Sequence, residues 1–293
     1  MITIKTIKDM KTEADRLRCA GKRIGLVPTM GFLHEGHLSL IRMAKLHTDS
    51  TVLSIFVNPL QFGPKEDFSK YPRDLARDQS MAIKEGVDIL FCPPDEEMVL
   101  PGFCAFVHVE TLTDILCGAS RPGHFRGVTT IVAKLFHAVK PHVAVFGQKD
   151  AQQAVVIRRM VRDLNMDINV LVAPIVREPD GLAMSSRNFY LSPAERNDAL
   201  VLSQSLKTAE SMIQQGELNA AMIAGAVRGM IESKKSARID YVAVVDPDTL
   251  KPIDRIESKA LIAVAVFVGT TRLIDNMVVS VRQYELESKI RWK

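Results

Sequence analysis

Two histidines, His34 and His37, straddle Glu35-Gly36 in the stretch VPTMGFLHEGHLSLI at residues 27–41. An imidazole near neutral pH both donates and accepts hydrogen bonds, so a pair of them suits contact with a phosphate or ligation of a metal. The setting favours phosphate. Ile24-Gly25-Leu26-Val27 reads as a short apolar strand, Pro28 and Gly31 as a turn, and Leu38, Ile41 and Leu46 as the apolar stripe of a helix running from His37. The first turn of a helix carries N–H groups with no partner inside the helix, and together with the helix dipole they attract an anion. Gly36 presents no Cβ to keep that anion away. Outside this context a His-x-Gly-His string reads equally as ordinary turn residues. A zinc site would need a third ligand, and none with recognisable spacing lies nearby.

Further polar clusters follow other apolar runs. After TVLSIFV comes Asn58-Pro59-Leu60-Gln61-Phe62-Gly63; after HVAVF comes Gly147-Gln148-Lys149-Asp150, with Gln152 and Gln153 just beyond; after INVLV and its loop comes Met184-Ser185-Ser186-Arg187. Asn58 alone reads as a turn starter, whereas the Gln61 amide beside Phe62 suits a polar ligand in an apolar pocket. Gly147 to Asp150 has two readings of equal weight. Either Asp150 caps a helix and Lys149 is solvated, or Gly147 admits a nucleotide and Lys149 places a point charge on phosphate. Two hydroxyls and a guanidinium at 185–187 can close over a triphosphate. Arg121, His124 and Arg126 form a basic, glycine-rich segment, read as a surface loop or as a wall against anionic substrate. Asp74 and Asp78 fall on an expected helix as solvated carboxylates, with Mg²⁺ beside the triphosphate as the functional alternative.

At 293 residues with 47% hydrophobic and 25% charged side chains, the chain has room for one large or two modest domains. A net charge of +4 suits anionic ligands but is too small to argue for nucleic acid, and 6% aromatic content offers no stacking platform for bases. Lys289, Arg291 and Lys293 around Trp292 read as a solvated basic tail. Cys19, Cys92, Cys104 and Cys117 form no C-x-x-C pair and no metal-like spacing, so they are expected reduced and partly buried, in a cytoplasmic protein. No apolar run is long enough to span a bilayer.

These residues need elements to hold them. Thr6 is the expected N-cap of a helix that stops at Gly21. Strands are expected at 51–57, 87–91, 106–109, 142–146 and 168–172, with helices from Pro72, from Gly127 to Val139 and from Asp150 to Asn165. Short apolar strands alternating with helices mean a doubly wound parallel sheet, an α/β fold of Rossmann-like type whose ligand sits at the carboxyl ends of the strands. The segment IVREPDGLAMSSRN reads as a linker or mobile loop. Beyond it the box Ser192-Pro193-Ala194-Glu195 opens one long helix bearing Leu202, Leu206, Ala209 and Ile213. A helix from Asn219 to Glu232 and strands from 239, 260 and 276 complete a smaller α+β domain, giving boundaries 1–175 and 176–293.

In order, PTMGFLHEGH, FVNPLQFG, SRPGHFRGV, FGQKDAQQ and DGLAMSSRN resemble the motif set of the pantoate–β-alanine ligase family, within the H-x-G-H nucleotidyltransferases. The resemblance covers essentially the whole chain; Ala151, after the Lys-Asp pair, is a minor variation. It implies ATP-dependent joining of pantoate and β-alanine through a pantoyl-adenylate, with release of pyrophosphate and AMP. It implies that Met30, Gly31, Phe32, Leu33, His34, Glu35, Gly36 and His37 line the ATP site, with both histidines on phosphates and His37 in the catalytic role. Gln61 and Gln153 would hold pantoate, and Gln61 would also touch β-alanine. Gly147, Gln148, Lys149, Asp150 and Val176 would bind the nucleoside, Lys149 also reaching phosphate. Met184, Ser185, Ser186 and Arg187 would clamp the triphosphate as a counterpart of the KMSKS loop. Mg²⁺ would accompany ATP with no protein metal site, and a homodimer is expected, with neither nucleic acid nor membrane as partner. Competing readings are a nucleotidylyltransferase that stops at an adenylated product, and a non-catalytic nucleotide sensor or RNA-binding relative.

Overall fold

Alternation along each short apolar strand feeds two cores. Leu26, Val52, Ile89 and Phe91 point into one, with Met10, Ile131, Phe136 and Ile157; Val27, Leu53 and Leu90 point into the other, with Leu33, Leu40 and Ile41. A strand buried on both faces has no polar side to show, which is why these runs read as continuous hydrophobic stretches. In this computed structural model, which describes residues 1–64 and 66–281, they form a six-stranded sheet of order β1-β4-β3-β2-β5-β6. Every pairing in it is parallel. The tail residues Lys289, Arg291, Trp292 and Lys293 lie outside the described residues.

The elements run β1 Ile2–Ile4, α1 Ile7–Cys19, β2 Ile24–Thr29, α2 Glu35–His47, β3 Ser50–Ile55, α3 Leu75–Lys84 and β4 Ile89–Phe91. Then come the short α4 Asp95–Met98 and α5 Cys117–Ser120, α6 His124–Val139, β5 Val143–Gly147, α7 Ala151–Asp163 and β6 Asn169–Ala173. Strand order reverses between β2 and β5, the position at which a doubly wound sheet opens its ligand crevice.

Several expectations change in detail. The strand expected at 106–109 joins no sheet among the described residues; its Val107 is held by α6 instead, Thr130 Oγ1 accepting from Val107 N at 3.0 Å and Thr129 Oγ1 donating to Val107 O at 2.7 Å. Pro28 lies inside β2 opposite Ser54 instead of turning; pairing to β5 ends at Leu26, so the missing N–H falls beyond that ladder. Helix α6 starts at His124, ahead of Gly127, and α2 starts at Glu35, ahead of His37. Cys19 and Cys104 are exposed, and only Cys117 is fully buried.

The chain divides into two units, Met1–Gln148 with Val156–Val176, and Lys149–Val155 with Arg177–Lys293. In the second, α8 Pro193–Ala199, α9 Val201–Gln214 and α10 Ala220–Glu232 precede an antiparallel sheet of β7 Ala237–Val245, β8 Lys259–Val268 and β9 Thr271–Ser280. The capping box is present at Ser192 and Glu195, but the long helix is broken at Leu200 into α8 and α9. Leu202, Leu206, Ala209 and Ile213 face the core against Ile262, Val264 and Val266. β9 begins five residues ahead of 276, at Thr271, after a tight turn at Gly269 whose φ is +57°.

Candidate active site

In the first unit the clusters gather at the carboxyl ends of β2, β3 and β5. The turn after β2 has two successive residues in the left-handed region, Gly31 at φ +81° and Phe32 at φ +50°. His34 then caps α2, and His37 folds back so that its Nδ1 accepts the backbone N–H of His34 at 3.3 Å. With Nδ1 accepting, the neutral ring of His37 carries its proton on Nε2, a donor at the positive end of a helix. The two rings stand 4.1 Å apart, and both are half-buried. By helix geometry the N–H groups of Glu35 and Gly36 have no partner within α2. The Glu35 carboxylate is engaged by Arg42, which also bridges to Glu85, so its side chain serves α2 and not an anion.

Asn58 orients Gln61. It caps the 3-10 turn Pro59–Gln61, accepting from Leu60 N at 3.0 Å, and its Nδ2 donates to Gln61 Oε1 at 3.0 Å and to Gly127 O at 3.1 Å. With its oxygen occupied, Gln61 presents Nε2 as donor, 3.3 Å from the sulfur of Met30. This tie brings the second and first motifs together. Asn58 is 3% exposed and does more than start a turn.

The basic segment at 121–126 is no free surface loop. Arg121 forms a two-pronged pair with Glu66 at 2.8 and 2.5 Å. Its Nη1 lies 3.1 Å from His124 Nε2, and His124 Nδ1 lies 2.9 Å from Gln61 O. Burial raises the Glu66 carboxyl, but the Arg121 hydrogen bond and charge outweigh it and leave the group below its ordinary value. The Arg126 guanidinium stacks over Phe106 at 3.7 Å.

Sequence reasoning missed Asp78. Expected as a solvated carboxylate, it is 1% exposed and accepts Phe32 N at 2.7 Å and Leu33 N at 2.8 Å. One signal was available: Asp78 stands four residues before Ala82, the other buried residue of α3. Asp74 caps α3 through Arg77 N at 3.0 Å.

Gly147 closes β5, beside β2 in the sheet, and a Cβ added there would meet nothing within 4 Å, so the protein's own packing does not require the glycine. Gln148, half-buried, opens the 3-10 turn Gln148–Asp150, and Val176 follows β6 as a half-buried residue.

In the second unit Lys149 is half-buried and its carbonyl accepts Asn276 Nδ2 at 2.9 Å; Asp150 is exposed and Gln153 half-buried at the start of α7. The segment read as a linker is tied down. Arg177 pairs with Asp275 at 2.6 and 3.0 Å, Arg196 reaches Glu178 and Asp180 at 2.6 Å each, and Asn188 donates to Glu178 at 2.7 Å. Within it Met184, Ser185 and Arg187 are half-buried and Ser186 is buried; Ser185 Oγ accepts Arg187 N at 3.2 Å, capping the 3-10 turn Ser186–Tyr190.

A parallel sheet with a histidine-capped helix start at its switch point is the construction of the Rossmann-like H-x-G-H nucleotidyltransferases, enzymes that work on nucleotide phosphates. Comparison narrows the class. The pantoate–β-alanine ligase family profile matches residues 2–278. A pantothenate synthetase of Acetivibrio thermocellus is 56% identical over 281 residues, 96% of this chain and all of that one. One from Thermotoga neapolitana is 56% identical over 278 residues, 95% of this chain and 99% of its own. The pantothenate synthetase structure from Thermus thermophilus superposes with a TM-score of 0.90 at 45% identity, covering 96% and 99% of the two chains. The Francisella tularensis pantoate–β-alanine ligase, solved with a β,γ-ATP ligand and β-alanine, gives 0.79 at 32% identity, covering 95% and 97%. The chain belongs to the pantoate–β-alanine ligase family, enzymes that form pantothenate from pantoate and β-alanine.

Proposed function

We propose that this chain performs that ligation in two steps at one ATP site. In the first, a pantoate carboxylate oxygen bonds to the α-phosphorus of ATP, the bond from that phosphorus to the β-phosphate bridge breaks, and pyrophosphate leaves. In the second, the neutral amine of β-alanine attacks the acyl carbon of the pantoyl-adenylate; the C–O bond to AMP breaks, an amide forms, and the amine proton passes to solvent. The carboxylate is already ionised at neutral pH, so the first step asks for positioning and charge stabilisation, not a strong base.

The observation that carries this reading is the His34–His37 box, which fixes Nε2–H of His37 as donor at the N-terminus of α2. The reading makes His37 the donor to the transferring phosphoryl group, with His34 and the N–H groups of Glu35 and Gly36 on the phosphates and Met30 to Leu33 lining the site. Lys149, Ser185 and Arg187 follow the charge onto pyrophosphate, with Met184 and Ser186 completing the clamp. Gln61 and Gln153 hold pantoate, Gln61 also meeting β-alanine, while Gly147, Gln148, Asp150 and Val176 receive the nucleoside. Support for ATP comes from the Francisella relative with its β,γ-ATP ligand. Mg²⁺ enters with the triphosphate, held mainly by phosphate oxygens and water. Residues 1–175 serve as the catalytic domain and 176–293 as the smaller domain that supplies the clamp, in a cytoplasmic homodimer.

Incubation with ATP, Mg²⁺, pantoate and β-alanine tests the reading. Equal yields of AMP, pyrophosphate and pantothenate are expected; ADP with phosphate, or a stable nucleotidyl product, would overturn it.

A further inference from the structure

The turn ahead of the histidines is clamped from a distant helix. Asp78 of α3 spends both carboxylate oxygens on it, Oδ2 on Phe32 N at 2.7 Å and Oδ1 on Leu33 N at 2.8 Å. Phe32 has a Cβ yet sits at φ +50°, directly after Gly31 at +81°, and L-residues adopt this conformation only when their surroundings enforce it. A Cβ on Gly31 would come within 2.9 Å of Asp78 Oδ2, so the carboxylate fits closely under the turn. The Arg77 guanidinium caps the assembly, 5.1 Å from the Phe32 ring centroid and 3.7 Å from Asp78 Oδ1.

Burial pushes the Asp78 carboxyl up, with the Leu33 and Phe32 N–H groups and Arg77 offsetting only part of the effect. Raised above its unfolded value, the ionised carboxylate lowers stability once pH exceeds that range. An amide would relieve that burden but could not give each N–H its own oxygen, since its NH2 would replace one of the two acceptors seen here and face a donor.

We propose that Asp78 is a positioning residue for adenylation: it holds Gly31-Phe32-Leu33 in the left-handed turn that sets His34, His37 and the start of α2 against the reacting phosphate. The proposal rests on the two-step reading above. The carboxylate acts through backbone geometry and touches neither substrate.

The test is pantoate-dependent ATP–pyrophosphate exchange in wild-type protein, Asp78→Asn, Phe32→Gly and the double variant. Asp78→Asn is expected to lower kcat by about 10-fold or more while the KM for pantoate stays within about 2-fold, the signature of misplaced reacting groups. The penalty should shrink in the Phe32→Gly background, because glycine takes the left-handed conformation unaided. A near-normal kcat for Asp78→Asn, or an equal penalty in both backgrounds, overturns the proposal. Should Asp78→Asn not fold, Asp78→Glu decides, because it keeps both acceptor oxygens but sets them one methylene out of place: lost kcat at unchanged pantoate KM supports the clamp, and wild-type kcat overturns it. Wild-type protein without exchange would instead sink the adenylation reading and the proposal with it.

Discussion

His37 Nδ1 accepts the backbone N–H of His34 at 3.3 Å, with the two rings 4.1 Å apart, so each histidine fixes the other at the mouth of α2. His37→Ala removes both the bond to His34 and the Nε2 donor. Turnover should fall roughly 10²-fold, as for loss of one transition-state donor, with the far-UV circular dichroism unchanged. Near-normal turnover would remove His37 from the mechanism.

Gly127 lies inside α6 because the chain at Leu60 leaves no room for more. A Cβ there would stand 2.2 Å from Leu60 O and 2.7 Å from Gln61 N. Gly127→Ala should therefore push the Asn58–Gln61 turn away, lowering stability by about 1–3 kcal/mol, as overpacking does, and raising the KM for pantoate. Denaturant midpoints and steady-state kinetics check the pair of effects. A stable variant with unchanged KM would separate Gln61 from pantoate binding.

Asp275 is 1% exposed at its side chain and receives both arms of Arg177. Asp275→Ala leaves that guanidinium with Gly181 O at 3.1 Å as its remaining partner among these contacts. The loss should be about 3 kcal/mol in chemical denaturation, the range for breaking a buried pair. A change near zero would mean that the pair is as weak as an exposed one.

His142 accepts Ile24 N at 2.9 Å through Nδ1 and so must be neutral to hold the start of β2. Burial, then the charges of Arg18 and Arg23, push its pKa below the ordinary 6.5. A depressed folded-state value means that its contribution is whole above the unfolded pKa and is lost as pH falls through the folded one. Stability should decline from about pH 6.5 downward, and His142→Asn, with its own acceptor oxygen, should flatten that slope. Urea midpoints across this range report it; identical slopes would exclude His142.

What the sequence revealed and what it hid have physical reasons. The His-x-Gly-His junction and the glutamine, lysine and Ser-Ser-Arg clusters were legible because each follows an apolar run, where a parallel sheet puts its ligand. Asp78 was hidden because a carboxylate on a helix reads as solvated, and only tertiary structure brings Phe32 N and Leu33 N to it. The opening of β9 was hidden by charge: Arg272 and Asp275 break its apolar pattern, yet one is paired with Asp240 at 2.6 Å and the other with Arg177. The apolar run at 106–109 misled in the opposite sense, since the N–H and carbonyl of its Val107 pair with threonine hydroxyls of α6 in place of a neighbouring strand.

The central claim is that pantoate is activated as an adenylate before β-alanine takes part. Isotope exchange between pyrophosphate and ATP, measured with pantoate and Mg²⁺ but without β-alanine, addresses it directly. The account predicts exchange that depends on pantoate and is suppressed in His37→Ala. Exchange that appears only once β-alanine is added, or none at all in an enzyme that still makes pantothenate, would contradict it.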